Sequence, residues 1–241
     1  MGTNLGIIMS ALCTAVGAVP ALLLNNVSHR VKDNLLAYSA GIMVAASTYA
    51  LIPSTLKLSN MFVLTLGILL GTAMLTILEI ILPHEEVDHS THGSGQARPL
   101  LLIAAMAIHN IPEGLSVGVS YASKYEGLGS LVSFSIGLQN IPEGFLVCLF
   151  LVSNRIPKVQ AFLYTAFTGA IEFVSAFLGI NLTDQFLNIV PYGLAFAAGA
   201  MLFVVYKELI PESHGDGNER SATFSFVMGL LTMIFIIELS I

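Results

Sequence analysis

The chain has 241 residues, a formal net charge of −6, 55% hydrophobic residues and 10% charged residues, with a mean hydropathy of +0.83. A soluble domain carries about 25% charged residues, and even a large one leaves about a quarter of its surface exposed. That composition excludes an ordinary soluble enzyme, a disordered chain, and a nucleic-acid binder with a basic face. What remains is an all-α, multi-pass membrane protein, read as a single transmembrane domain over residues 1–241.

A span of the bilayer core needs about 20 apolar residues. Apolar runs of that kind are read at 5–24, 35–52, 61–82, 99–122, 128–152, 159–180, 189–210 and 222–241, which predicts eight transmembrane helices. The first two runs contain no charge. Backbone polar groups in lipid must pair internally, so uninterrupted runs of this length are helices; barrel strands are shorter and alternate. Residues 1–24 lack a basic leading stretch, so the first run is expected to be a retained span.

Lys and Arg in short loops set orientation. Arg30, Lys32, Arg98, Arg155, Lys158 and Arg220 follow odd-numbered spans, whereas only Lys57 and Lys124 follow even-numbered ones. The odd loops are therefore expected in the cytoplasm and both termini outside. The longest loop, 83–98, holds His84, His89 and His92 with Glu85, Glu86 and Asp88. It reads either as a solvated acidic loop or as a weak metal-collecting one, since imidazole and carboxylate both ligate divalent metals. The two cysteines, Cys13 and Cys148, lie in apolar runs and form no disulfide framework or cysteine metal motif.

The decisive feature is a repeated hexapeptide. His109-Asn110-Ile111-Pro112-Glu113-Gly114 lies in the fourth run, and Gln139-Asn140-Ile141-Pro142-Glu143-Gly144 in the fifth. His109 and Glu113 are i and i+4 on one helix face, as are Gln139 and Glu143; Asn110 and Asn140 stand one turn from the same glutamates. A carboxylate at the bilayer centre costs about 3 kcal/mol on insertion scales, and a bound dication offsets that cost directly. Pro112 and Pro142 free the carbonyls of Ile108 and Leu138. Gly114 and Gly144 permit close helix approach, from which the fourth and fifth helices are expected to face their polar stripes at each other. The stripe continues through Ser116, Ser120 and Ser135.

Glu172 adds a third mid-membrane carboxylate, flanked by Thr168 and Ser175. It reads as a site member or as a glutamate hydrogen-bonded to those hydroxyls. Glu79 with His84, and Lys207 with Glu208, lie near the ends of the third and seventh runs. They read as a cation exit path or as snorkelling interfacial anchors.

The paired HNIPEG and QNIPEG motifs resemble the signature of the ZIP (Zrt-/Irt-like) family of divalent metal transporters, and the glutamine heading the second is similar to its short, bacterial-type GufA-like branch. The resemblance extends over the whole chain. It implies a 3+2+3 bundle, with spans one to three and six to eight as inverted repeats around spans four and five. It also implies a mid-membrane, binuclear metal site. One metal would use His109, Glu113, Gln139 and Glu143; the second would use Asn110, Asn140 and Glu172, with Glu113 and Glu143 bridging. Transport would run into the cytoplasm across the plasma (inner) membrane. Family members carry aspartate at the position of Asn140 in some cases, and often histidine at that of Lys207.

One imidazole with carboxylate and amide oxygens suits zinc first, then ferrous iron, manganese, cobalt or cadmium. No resident cofactor is expected, because the metal is cargo. The expected partners are divalent metal ions and the lipid bilayer, with a second copy of the chain as a candidate and no nucleic acid. Two other classes were weighed. A membrane metalloenzyme would need a motif such as His-Glu-x-x-His, which is absent, so no enzyme is expected. A retinal-type lysine would lie mid-helix in an aromatic pocket, whereas Lys207 is near a helix end and the chain has no Trp.

Overall fold

The computed structural model describes residues 2–24, 27–81, 97–123, 125–186 and 188–240. The loop histidines His84, His89 and His92 lie outside these residues. Eight long helices follow one another: α1 Thr3–Leu23, α2 His29–Leu58, α3 Met61–Ile81, α4 Ala97–Ala122, α5 Leu128–Ser153, α6 Lys158–Gln185, α7 Val190–Ser213 and α8 Glu219–Ser240. All except α4 are long and apolar enough to cross a membrane over their described residues, and α4 has 26 residues. At about 1.5 Å per residue, even the shortest matches a hydrocarbon core of about 30 Å.

Several helices outrun the apolar runs that announced them. α2 begins at His29 rather than Leu35, because its polar first turns are held by the loop between α7 and α8. His29 Nδ1 lies 2.6 Å from Asp216 Oδ2, and Asn218 donates to Asp33 Oδ2 at 2.8 Å. At the same end of the bundle Lys158 Nζ donates to the Leu22 carbonyl at 2.7 Å. These bonds put the loops after α1, α5 and α7 together, as the alternation of spans requires.

Two helices contain a widened π turn, at Ala46–Leu51 in α2 and Val205–Leu209 in α7. In each a proline, Pro53 or Pro211, follows two residues later within Leu-Ile-Pro. Proline withdraws one backbone donor and crowds the preceding turn, and a π turn absorbs the misfit. α4 and α5 stay helical through Pro112 and Pro142.

Small residues decide which helices touch. A Cβ on Gly114 would stand 2.1 Å from the Glu172 carbonyl oxygen, and one on Gly118 would stand 2.0 Å from that of Ala176, so α4 lies backbone-to-backbone on α6. A Cβ on Gly144 would stand 2.0 Å from the Thr14 carbonyl oxygen and one on Gly17 would stand 2.0 Å from that of Ile141, which seats α5 on α1. The motif glycines therefore face α6 and α1, not each other, although α4 and α5 are also in contact. Gly41 and Gly229 join α2 to α8, and Gly67, Gly71 and Gly199 join α3 to α7. Large apolar side chains such as Leu12, Phe62, Leu69, Phe167 and Phe235 point outward. Lipid is as apolar as leucine, so association rests on close packing of small residues.

Because backbone atoms rather than flexible side chains meet Gly114 and Gly144, adding one methyl there forces the helices apart. We expect Gly114→Ala and Gly144→Ala each to cost about 1–3 kcal/mol and to lower the thermal midpoint of the purified protein. Gly2→Ala, with open space around it, should leave the midpoint unchanged.

Candidate functional site

The two hexapeptides and the middle of α6 meet inside the bundle. Asn110, Glu113, Gln139, Asn140 and Glu172 are at most 1% exposed; Glu143 is 7% and His109 9% exposed. Their helices are pinned together at this level by the contacts of Gly114 with the Glu172 carbonyl and of Gly144 with Thr14.

Two hydrogen-bonded groups occupy the centre. In the first, the Gln139 amide nitrogen of α5 donates to Glu113 Oε1 of α4. In the second, Glu172 of α6 accepts from Asn140 Nδ2 at 2.6 Å on one oxygen and from Ser10 Oγ at 2.5 Å on the other. Asn140 Nδ2 also faces the Ser10 carbonyl at 3.3 Å. Glu172 is thus served by α1 and α5, while Thr168 spends its hydroxyl on the carbonyl of Thr165. Ser116 and Ser120 likewise bond back to their own helix.

Four buried polar atoms at the centre have no hydrogen-bond partner among the described residues: Glu113 Oε2, Gln139 Oε1, Asn140 Oδ1 and Asn110 Nδ2. Three of these are oxygens. A buried acceptor without a donor costs about 1–3 kcal/mol, so these three leave a polar deficit of the kind a positively charged guest could answer. Glu113, Glu143 and Glu172 also interact electrostatically with one another, and among the described residues none is paired with lysine or arginine. As placed, no three His, Cys, Asp or Glu side chains among the described residues converge tightly enough to hold a metal ion. Gln139 and Asn140 turn their amide nitrogens to Glu113 and Glu172, and their oxygens are without a partner among the described residues.

From this centre a line of polar groups runs to one end of the bundle. A gap too tight for a water molecule, lined by His109, Glu113 and Met201, adjoins a narrow cleft lined by His109, Glu79 and Glu208. His109 and Leu75 belong to both. His109 Nε2 lies 4.0 Å from Glu208 Oε2, and at the mouth Lys207 Nζ lies 3.2 Å from Glu79 Oε1. The π turn of α7 carries both Lys207 and Glu208. Of the residues expected along an exit path, Glu79, Lys207 and Glu208 are grouped here and His84 lies outside the described residues.

Sequence reasoning missed α1. Ser10, Cys13 and Thr14 read as ordinary residues of an apolar run, yet Ser10 bonds Glu172, and the Cys13 thiol lies against Gly137, one turn from Asn140. A usable signal was the i, i+4 pair Ser10–Thr14 in a span otherwise poor in hydroxyls.

Known proteins resemble this chain over most of its length. The family described as ZIP Zinc transporter matches residues 82–237. The chain is 33% identical to the zinc transporter GufA of Myxococcus xanthus over 97% of its length and 96% of that protein. It is 34% identical to the zinc transporter ZIPB of Bordetella bronchiseptica over 92% of its length and 76% of that protein. With the zinc transporter ZupT of Streptococcus mutans it shares 26% identity over 93% of its length and 92% of that protein. On the family match over more than half the chain and the near full-length likeness to GufA, the chain belongs to the ZIP zinc transporter family.

Proposed function

We propose that this protein carries zinc across the plasma membrane into the cytoplasm, and that His109, Glu113, Gln139 and Glu143 form the station that holds the ion midway. Asn110, Asn140 and Glu172 complete the same buried centre. The observation that carries this reading is the group of unpartnered buried oxygens on Glu113, Gln139 and Asn140 beside three carboxylates with no lysine or arginine partner among the described residues. A dication answers both deficits at once: it supplies the charge the carboxylates lack and the partner the oxygens lack. The zinc transport named for the relatives supports the same cargo. Ferrous iron, manganese, cobalt and cadmium suit the same nitrogen and oxygen donors and are expected as secondary cargo.

Gln139 presents its amide nitrogen to Glu113, so rotating that amide by half a turn brings its oxygen to the carboxylate side. Ion binding then exchanges a hydrogen bond for a ligand bond without moving a helix. His109 stands between the station and the cleft, and its approach to Glu208 marks the next stop. Glu79, Lys207 and Glu208 form the mouth, which the distribution of Lys and Arg places on the cytoplasmic side, with the termini outside.

The helix pairings fit the 3+2+3 arrangement. α1 on α5 corresponds to α6 on α4, and α2 on α8 to α7 on α3; the π turns of α2 and α7 are equivalent under the same exchange. The backbone contacts gather α1, α4, α5 and α6 into one packed group that contains the station. Movement of that group against α2, α3, α7 and α8 is the simplest way to present the ion to either side.

Two outcomes test this reading. In proteoliposomes loaded with a zinc-sensitive dye, Glu113→Ala and Glu143→Ala should each reduce zinc uptake at least tenfold; uptake at the wild-type rate would remove the station from the account. Lys207→Ala leaves Glu79 without its cationic partner and makes the mouth more negative. Because this mouth is the exit side, leaving zinc should be held there longer, lowering the maximal uptake rate severalfold at low ionic strength, and the difference should shrink as salt is raised; an unchanged rate would show that Lys207 plays no electrostatic part.

A further inference from the structure

We infer that Ser10 of α1 is a positioning residue for Glu172, and that with Asn140 it makes Glu172 an anchor between helices, so that the station takes one ion. This rests on the functional reading above and fixes how many ions that centre holds.

The geometry is a closed ring. Ser10 Oγ donates to Glu172 Oε1 at 2.5 Å, Asn140 Nδ2 donates to Glu172 Oε2 at 2.6 Å, and the same Nδ2 faces the Ser10 carbonyl at 3.3 Å. Three helices, α1, α5 and α6, are joined through three residues that are each at most 2% exposed. Hydrogen bonds to an ionised or partly ionised carboxylate are stronger than neutral ones, and the dry surroundings strengthen them further. The ring is reinforced at the same level: a Cβ on Gly144 would stand 2.0 Å from the Thr14 carbonyl oxygen and one on Gly169 would stand 2.6 Å from that of Ala11, so α1 cannot retreat from α5 and α6 without losing packing as well.

This ring places the two halves of the centre in different situations. Glu172 has a donor on each oxygen. For Asn140 to ligate an ion shared with Glu172, its amide would have to turn its oxygen inward. It would then lose its bonds to both Glu172 and the Ser10 carbonyl. Glu113, by contrast, has one oxygen engaged by Gln139 and the other without a partner among the described residues, and the Gln139 oxygen is likewise without one. Asn140 Oδ1 is also unpartnered among them, but of Glu113 and Glu172 only Glu113 keeps a carboxylate oxygen without a donor. Asn140 is neutral, so a second ion beside Glu172 would gain one carboxylate fewer than with aspartate at that position, while displacing two donors.

The test is equilibrium dialysis of zinc against the purified full-length protein in detergent. The wild type should bind one zinc per chain. Asn140→Asp removes the amide donor and adds a carboxylate, and should bind two. Adding Ser10→Ala to Asn140→Asp removes the hydroxyl that competes for Glu172 Oε1, and should tighten the second zinc at least fivefold; a Ser10 that only packs would leave that affinity unchanged or weaken it. Two zinc ions on the wild type, one on Asn140→Asp, or no tightening in the double variant overturns the inference. If the double variant does not fold, the wild-type stoichiometry and that of Asn140→Asp still decide the ion count. A wild type that binds no zinc overturns the proposed function itself, and is thereby distinguished from failure of the anchor alone.

Discussion

Three carboxylates, Glu113, Glu143 and Glu172, are buried in the middle of an apolar helical bundle and interact with one another. Everything else in the structure follows from the need to compensate them. Each costs about 3 kcal/mol to place at membrane depth, and no lysine or arginine among the described residues pairs with any of them. Amides and a hydroxyl from neighbouring helices supply part of the compensation, and under the proposed function the remainder falls to an incoming cation. That remainder is what a carrier needs, because a centre fully satisfied by its own side chains would have no reason to bind an ion.

The packing serves this centre. Donors reach Glu113 and Glu172 only if α1, α4, α5 and α6 approach backbone to backbone, and the glycines at 17, 114, 118, 144 and 169 allow that approach. The cost of a Cβ at these positions is therefore felt at the site as well as in the fold. On the other side of the molecule, α3 and α7 pack through their own glycines, and the π turn of α7 sets Glu208 toward His109 and Lys207 toward Glu79. Station and mouth are joined through His109, the one imidazole of the two hexapeptides.

Much of this was legible in the residues. The eight runs could be read because lipid demands long, uncharged stretches, and the two hexapeptides stood out because such polar strings are expensive there. Helix ends were less legible. The polar turn His29–Asp33 carries no apolar signal and is helical because Asp216 and Asn218 hold it. The partners of the motif glycines were misjudged for a similar reason: helical spacing shows that Gly114 and Gly144 offer a smooth face, but not which helix will occupy it. Ser10 was hard to read, since one serine in an apolar run looks the same whether it bonds its own helix or a glutamate 162 positions away, and only its i, i+4 pairing with Thr14 hinted otherwise. The paired Leu51-Ile52-Pro53 and Leu209-Ile210-Pro211 were readable in the sequence, but their meaning emerged only with the π turns they follow.

The central claim is that a dication sits among one imidazole and the carboxylate and amide oxygens of the two hexapeptides. Zinc-edge X-ray absorption on the purified protein loaded with zinc tests it most directly. The account predicts a first shell of nitrogen and oxygen at about 2.0–2.2 Å with the outer-shell scattering of a single imidazole, lost in His109→Ala. A shell containing sulfur at about 2.3 Å, placing the ion on Cys13, or a shell without imidazole that His109→Ala leaves unchanged, would contradict it.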